Sequence, residues 1–157
     1  MPSKRDAISM TDDELLVYLR SQRRLILVSN GINTYPHPMP MNYMFDDEER
    51  FVMTTFRKSQ KVKNLQRDPK VSLLVESGIA YDELKSVLAY AQAEIIDDNE
   101  EVLRTMMMLL TEETELSGND LDLVKEQAKA TAPKRVMLRF SADSYVSWDH
   151  TKLKGHY

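Results

Sequence analysis

The chain has 157 residues, no cysteine and a formal net charge of −4. That length suits one domain whose core needs no disulfide or metal staple. The missing thiols exclude a disulfide framework, a thiolate nucleophile and a zinc ribbon, and suit a reducing, cytoplasmic setting. The acidic balance argues against non-specific nucleic-acid binding. No apolar run approaches the roughly 20 residues of a membrane span, and Lys4 and Arg5 are not followed by the apolar stretch of a secretory signal.

Thr11-Asp12-Asp13-Glu14 spells a capping box. Leu15, Leu16 and Leu19 then share a face, which predicts a helix from about Thr11 to Gln22. Leu25–Ser29 followed by Asn30-Gly31 reads as a strand entering a hairpin. Tyr35–Phe45 is extended and ends in the acidic turn Asp46–Glu49. Phe51–Thr55 is the next strand. Ser59 is placed to cap a short helix to about Gln66, which Asp68-Pro69 stops.

Val71–Val75 is a buried-strand run, and Val87–Ile96 is a strand with helix as its competitor. Helices are predicted from Asp98 or Asn99 to about Leu110, and over about Asn119–Ala130. Ala132-Pro133 breaks the second. Arg135–Phe140 and Asp143–Trp148 alternate like a closing hairpin. With strands at both ends and no βαβ repeat, the pattern predicts a mainly β, closed or partly closed barrel with helices packed around it, as a single domain over 1–157.

Charge concentrates where strand 51–55 gives way to a helix. Arg57, Lys58, Lys61, Lys63, Arg67 and Lys70 face one acid, Asp68. Thr54, Thr55 and Ser59 add hydroxyls. A helix N-terminus with free N–H groups and lysines favours an anion, so the segment reads as a phosphate site or as a solvated basic helix. Pro36, Pro38 and Pro40 strip every donor from one edge of their strand. That edge either meets a ligand or is protected against aggregation.

His37, His150 and His156 have no metal-ligand spacing, so no metal is expected. The run Met106–Leu110 reads as helix core. Trp148, the only Trp, either covers the barrel end or flanks a flat ligand. There is no glycine-rich phosphate loop and no hydrolytic triad, so no catalytic acid or base is named.

Taken together, these segments resemble the pyridoxamine 5′-phosphate oxidase-like family of FMN-binding split barrels, from about Thr11 to Lys152. The resemblance is carried by Lys61-Val62-Lys63-Asn64-Leu65-Gln66-Arg67-Asp68-Pro69-Lys70-Val71-Ser72-Leu73, by the proline strand, and by Ser147-Trp148-Asp149 near the end. It implies a homodimer with FMN at the subunit interface and a flavin-dependent oxidoreductase acting on a small molecule. Pro38, Met39, Pro40, Met41 and Asn42 would meet the ring. Thr54, Thr55, Ser59, Gln60 and Lys61, with Lys58, would hold the phosphate. Ser86 and Trp148 would approach from later strands. A deazaflavin-dependent reductase of the same fold, or a non-catalytic flavin- or haem-binding module, is the alternative. The chain lacks the arginine-rich C-terminal motif of true pyridoxamine phosphate oxidases, so that particular activity is not expected, and Asn42 stands where those carry a basic residue near the ring, so a different tuning of the flavin is expected.

Overall fold

A computed structural model describes residues 4–113 and 118–153. His156 lies outside the described residues. The elements, in order, are α1 (Lys4–Ile8), α2 (Asp12–Ser21), β1 (Arg24–Asn30), β2 (Pro36–Asn42), β3 (Met44–Phe45), β4 (Phe51–Phe56), α3 (Gln60–Arg67), β5 (Lys70–Ser77), β6 (Lys85–Ile96), α4 (Asn99–Glu113), α5 (Asn119–Thr131) and β7 (Arg135–Asp149). The strands form one antiparallel sheet in the order β2-β1-β5-β6-β7-β4-β3, curled into a split barrel. No described helix is long and apolar enough to cross a membrane.

Strand alternation builds two cores on opposite faces of the sheet. Leu25 and Leu27, Val71, Leu73 and Val75, Phe51 and Met53, and Val136, Leu138 and Phe140 point into the curl, where Leu15 and Leu19 of α2 join them. The intervening positions Val52 and Met137 face outward and pack under Val102 and Met106 of α4 and Ala128 of α5. The capping box of α2 is present: Thr11 Oγ1 accepts from the Glu14 N–H, and Glu14 answers on the Thr11 N–H. Tyr43, buried in the curl, donates to the Leu19 carbonyl and ties α2 to the sheet.

Two expectations need correction, and one choice left open resolves in favour of the strand. Residues 135–149 are not a hairpin but one continuous strand, β7. Its register with β6 slips between Tyr90 and Ala91, which pair with Ser144 and Ala142, so the extra residue Asp143 is taken up as a bulge and the strand bends without reversing. Residues 85–96 form a strand, β6, because pairing on both sides overrides the helix preference of Ala and Leu. Ser59 occupies the N-cap position of α3, but its hydroxyl makes no cap hydrogen bond.

The motif that follows Ser59 is largely a fastening. Asn64 is fully buried and donates to Ser29 Oγ of β1 at 3.1 Å, while its carbonyl accepts from Gln60 Nε2 at 2.9 Å. Asp68 accepts from the Lys70 N–H and from Asn30 Nδ2. The chain thereby turns from α3 directly into β5, with Pro69 barring another helical turn.

Candidate functional site

The last residues of β4 present side chains to both faces of the sheet. Thr55 is buried in the curl, and its hydroxyl accepts from Lys61 Nζ of α3 at 2.9 Å. Thr54 faces the other way and accepts from Arg135 Nη1, at the start of β7, at 3.0 Å. The Arg135 guanidinium also lies 4.5 Å above the Phe56 ring. Register explains the meeting: Phe56 pairs with Arg135 and Thr54 with Met137 across the β4–β7 ladder.

Both cations are half-buried, and among the described residues neither has a carboxylate partner. Burial pushes the Lys61 ammonium below its ordinary pKa, and the positive charge of Arg135 adds to the fall. Burial pushes Arg135 down as well. Among the described residues, two donors of this segment are sealed from solvent without a partner, the Ser59 hydroxyl and Arg135 Nε. Buried donors and unpaired like charges each cost free energy, and an anion would satisfy both deficits at once.

A cavity of about 340 Å³ opens beside Arg135. Pro40, Met41 and Asn42 of β2 line one side and Met106, Leu109 and Leu110 of α4 another, with Thr54 and Arg135 between them. β2 is the outer strand of the sheet. Prolines cannot donate to the ladder with β1, so Pro36, Pro38 and Pro40 take the positions whose backbone faces away from it. The free edge therefore offers carbonyl acceptors and no proline N–H.

The fold brings Pro40, Met41, Asn42 and Thr54 into one cavity, with Thr55, Ser59 and Lys61 at the adjoining strand end. Pro38 and Met39 continue along β2. Lys58 is exposed, and Gln60 spends its amide on Asn64. Ser86 and Trp148 are not brought there. Ser86 is buried, donates to the Val75 carbonyl at 2.8 Å, and pairs with Trp148 across β6 and β7. Trp148 stands at the far end of β7 from Arg135, the residue by which that strand lines the cavity.

Arg135 had no sequence signal, since spacing cannot relate it to Thr54, 81 residues away. The cavity wall on α4 did have one. Met106, Leu109 and Leu110 fall three and four residues apart, on one helical face. Met106 does join the second core, as read from the sequence, but the cavity uses the same face. No cluster of metal-ligating side chains occurs among the described residues.

Residues 11–149 match the model of a family described as pyridoxamine 5′-phosphate oxidase. A crystal structure of a conserved hypothetical protein from Mycobacterium tuberculosis is similar at a TM-score of 0.86 and 32% identity, covering 99% of this chain and 95% of that one. A FAD-binding protein from Mesorhizobium loti is similar at 0.60 and 15% identity, over 88% of this chain and 93% of that one. An F420 reductase gives 0.58 and 15%, over 92% and 98%. At such low identity the last two speak for the fold alone. No curated protein matches the chain in sequence.

Proposed function

The chain belongs to the pyridoxamine 5′-phosphate oxidase family, and on that footing we propose that it binds flavin mononucleotide and works as an oxidoreductase on a small molecule. One observation carries the reading. Lys61 and Arg135 bind neighbouring threonines and lack carboxylate partners among the described residues, and the hydroxyl of Ser59, two residues before Lys61 in the chain, is buried without a partner among them. This donor set fits a phosphate dianion. Arg135, Lys61, Thr54, Thr55 and Ser59 would hold the phosphate, with Lys58 and Gln60 at the rim.

The backbone of Pro38–Asn42 would take the ring edge, its carbonyls accepting from ring N–H groups. Met106, Leu109 and Leu110 exclude water from the same cavity. A bound flavin supplies hydride and single-electron transfer; the protein's share is orientation, desolvation and the electrostatics of the cationic end. A deazaflavin cofactor is the second reading, since the fold is shared with an F420 reductase.

The site would be shared between two copies of the chain. On the outer face of the sheet, register aligns Pro40, Ile26, Leu74, Leu88 and Val146 in one row across five strands. The four after Pro40 are half-buried and belong to neither core. Packing this face on its copy would cover the row and carry Trp148 and Ser86 of each protomer toward β2 of the other.

Titration with flavin mononucleotide and with riboflavin tests the reading, because the two differ by the phosphate. Tighter binding of the mononucleotide by at least tenfold is expected. Equal affinity, or binding of neither, overturns it. The absorption spectrum of the purified protein separates flavin, deazaflavin and haem.

A further inference from the structure

Asn42 belongs to two cavities. On one side it closes the 340 Å³ cavity of the proposed flavin site. On the other it lines an open groove of about 560 Å³ with Ser21, Gln22, Arg23, Arg24 and Glu76. The two spaces differ in their walls. The first sets methionine and leucine beside Thr54 and Arg135, whereas the described residues that line the groove are all polar or charged.

The arginines of the groove are used differently. Arg23 is paired with Glu112 of α4. Arg24 donates through Nε to Asn42 Oδ1 at 3.3 Å and has no ion pair among the described residues. That bond fixes one edge of the guanidinium against the strand that lines the flavin cavity. The Nη groups remain to form the two-pronged contact that guanidinium makes with a carboxylate, sulfonate or phosphate. Among the described residues, Glu76 is the only acid lining the groove.

We infer that the groove is the substrate's anchoring subsite. Arg24 binds an anionic group there and directs the rest of the molecule past Asn42 toward the flavin ring. The substrate class is a small molecule that joins an anionic group to an apolar, reducible or oxidisable body. This assignment rests on the flavin reading above, and Arg24 acts in it as a specificity-determining residue that takes no part in the redox step.

The probes are 2-naphthoate and the neutral 2-naphthamide, which share shape and differ in charge. Binding is read by perturbation of the flavin spectrum in protein loaded with flavin mononucleotide, and by calorimetry on flavin-free protein. Arg24→Ala should weaken naphthoate at least tenfold and leave naphthamide within twofold, and Arg24→Lys should recover part of the loss. Glu76→Gln should tighten naphthoate about threefold, an effect in the opposite direction that unfolding cannot mimic. Equal naphthoate affinity in wild type and Arg24→Ala, or equal losses for both probes, overturns the inference. Failure to bind flavin mononucleotide sinks the flavin reading instead, and calorimetry on the flavin-free protein still decides whether the groove selects anions.

Discussion

Lys61 and Arg135 hold consecutive threonines of one strand from opposite faces of the sheet. Lys61 Nζ lies 2.9 Å from Thr55 Oγ1, and Arg135 Nη1 lies 3.0 Å from Thr54 Oγ1. The positive charge of Arg135 lowers the tendency of Lys61 to stay charged, burial disfavours the charge on both, and among the described residues only hydroxyls accept their side-chain hydrogen bonds. The arrangement costs stability without a ligand and contributes affinity with one.

Substitution of either cation should therefore separate binding from stability. Lys61→Ala or Arg135→Ala should weaken flavin mononucleotide roughly 10–150-fold, the equivalent of about 1.5–3 kcal/mol for a hydrogen bond to a charged group. Riboflavin should lose little. Urea unfolding of the flavin-free Arg135→Met variant should show no loss of stability beyond about 0.5 kcal/mol, the ordinary scatter of surface changes. A uniform loss for both ligands would remove the phosphate role.

Ser59→Ala makes the complementary test. A working N-cap serine costs about 0.5–2 kcal/mol when replaced by alanine. Here the hydroxyl makes no cap bond and lies buried without a partner. Chemical denaturation of the flavin-free protein should show essentially no change, while flavin mononucleotide binding weakens roughly 2–10-fold, for about 0.5–1.5 kcal/mol. A destabilised protein with unchanged affinity would make Ser59 a cap after all.

Asn64 should behave in the opposite way. It is fully buried and joins α3 to Ser29 of β1. Asn64→Leu leaves the buried Ser29 hydroxyl unmatched, at roughly 1–3 kcal/mol for an unsatisfied buried group. The variant should unfold at lower denaturant, and its folded fraction should bind flavin mononucleotide with near-normal affinity if Lys61 keeps its place.

The apolar row on the outer face predicts the assembly. Leu88→Glu places a charge in its middle and should convert a dimer to monomers in sedimentation at micromolar concentration, with cofactor affinity falling in parallel. Emission from Trp148, the only Trp, should be almost fully quenched by flavin in the wild-type dimer and recover in the variant. A wild-type monomer that retains flavin would remove the shared site.

Acid stability has a defined contributor in Asp149. Burial works against its carboxylate, but hydrogen bonds from the Thr151 hydroxyl and Lys85, with the Thr151 N–H, outweigh burial and hold its pKa below the ordinary value. The group therefore stabilises the fold above its unfolded pKa of about 4, and that contribution is lost as pH falls through the lower folded value. Asp149→Asn should cost about 1.5–3 kcal/mol at neutral pH. Its deficit against wild type should shrink on acidification, as followed by thermal unfolding between pH 7 and pH 3.

Much of this architecture is written locally. The α2 cap, the α3 stop at Asp68-Pro69 and the alternating runs of β1, β4 and β5 follow from residues within a few positions of one another. The basic, hydroxyl-rich end of β4 was legible for the same reason, as was the donor-free edge of β2. The lining role of Met106, Leu109 and Leu110 was half-legible. Their spacing marks a helix face, but only the position of α4 over β4 and β7 tells which side of that face meets a cavity.

What tertiary structure alone decided lies in long-range register. Asp143 bends β7 where the pattern 135–149 suggested reversal, because a bulge and a turn look alike until the partner strand is known. Arg135 reaches Thr54 only because β7 pairs with β4. Ser59 stands where a cap should be, yet its hydroxyl is left unused, which no spacing rule reveals. The sequence by itself determined which segments form strands and helices and which edge lacks donors, since those properties arise from local backbone chemistry and short periodicities. Which cations end up unpaired, and beside which hydroxyls, was decided by strands distant in the chain being forced together to bury their alternate faces.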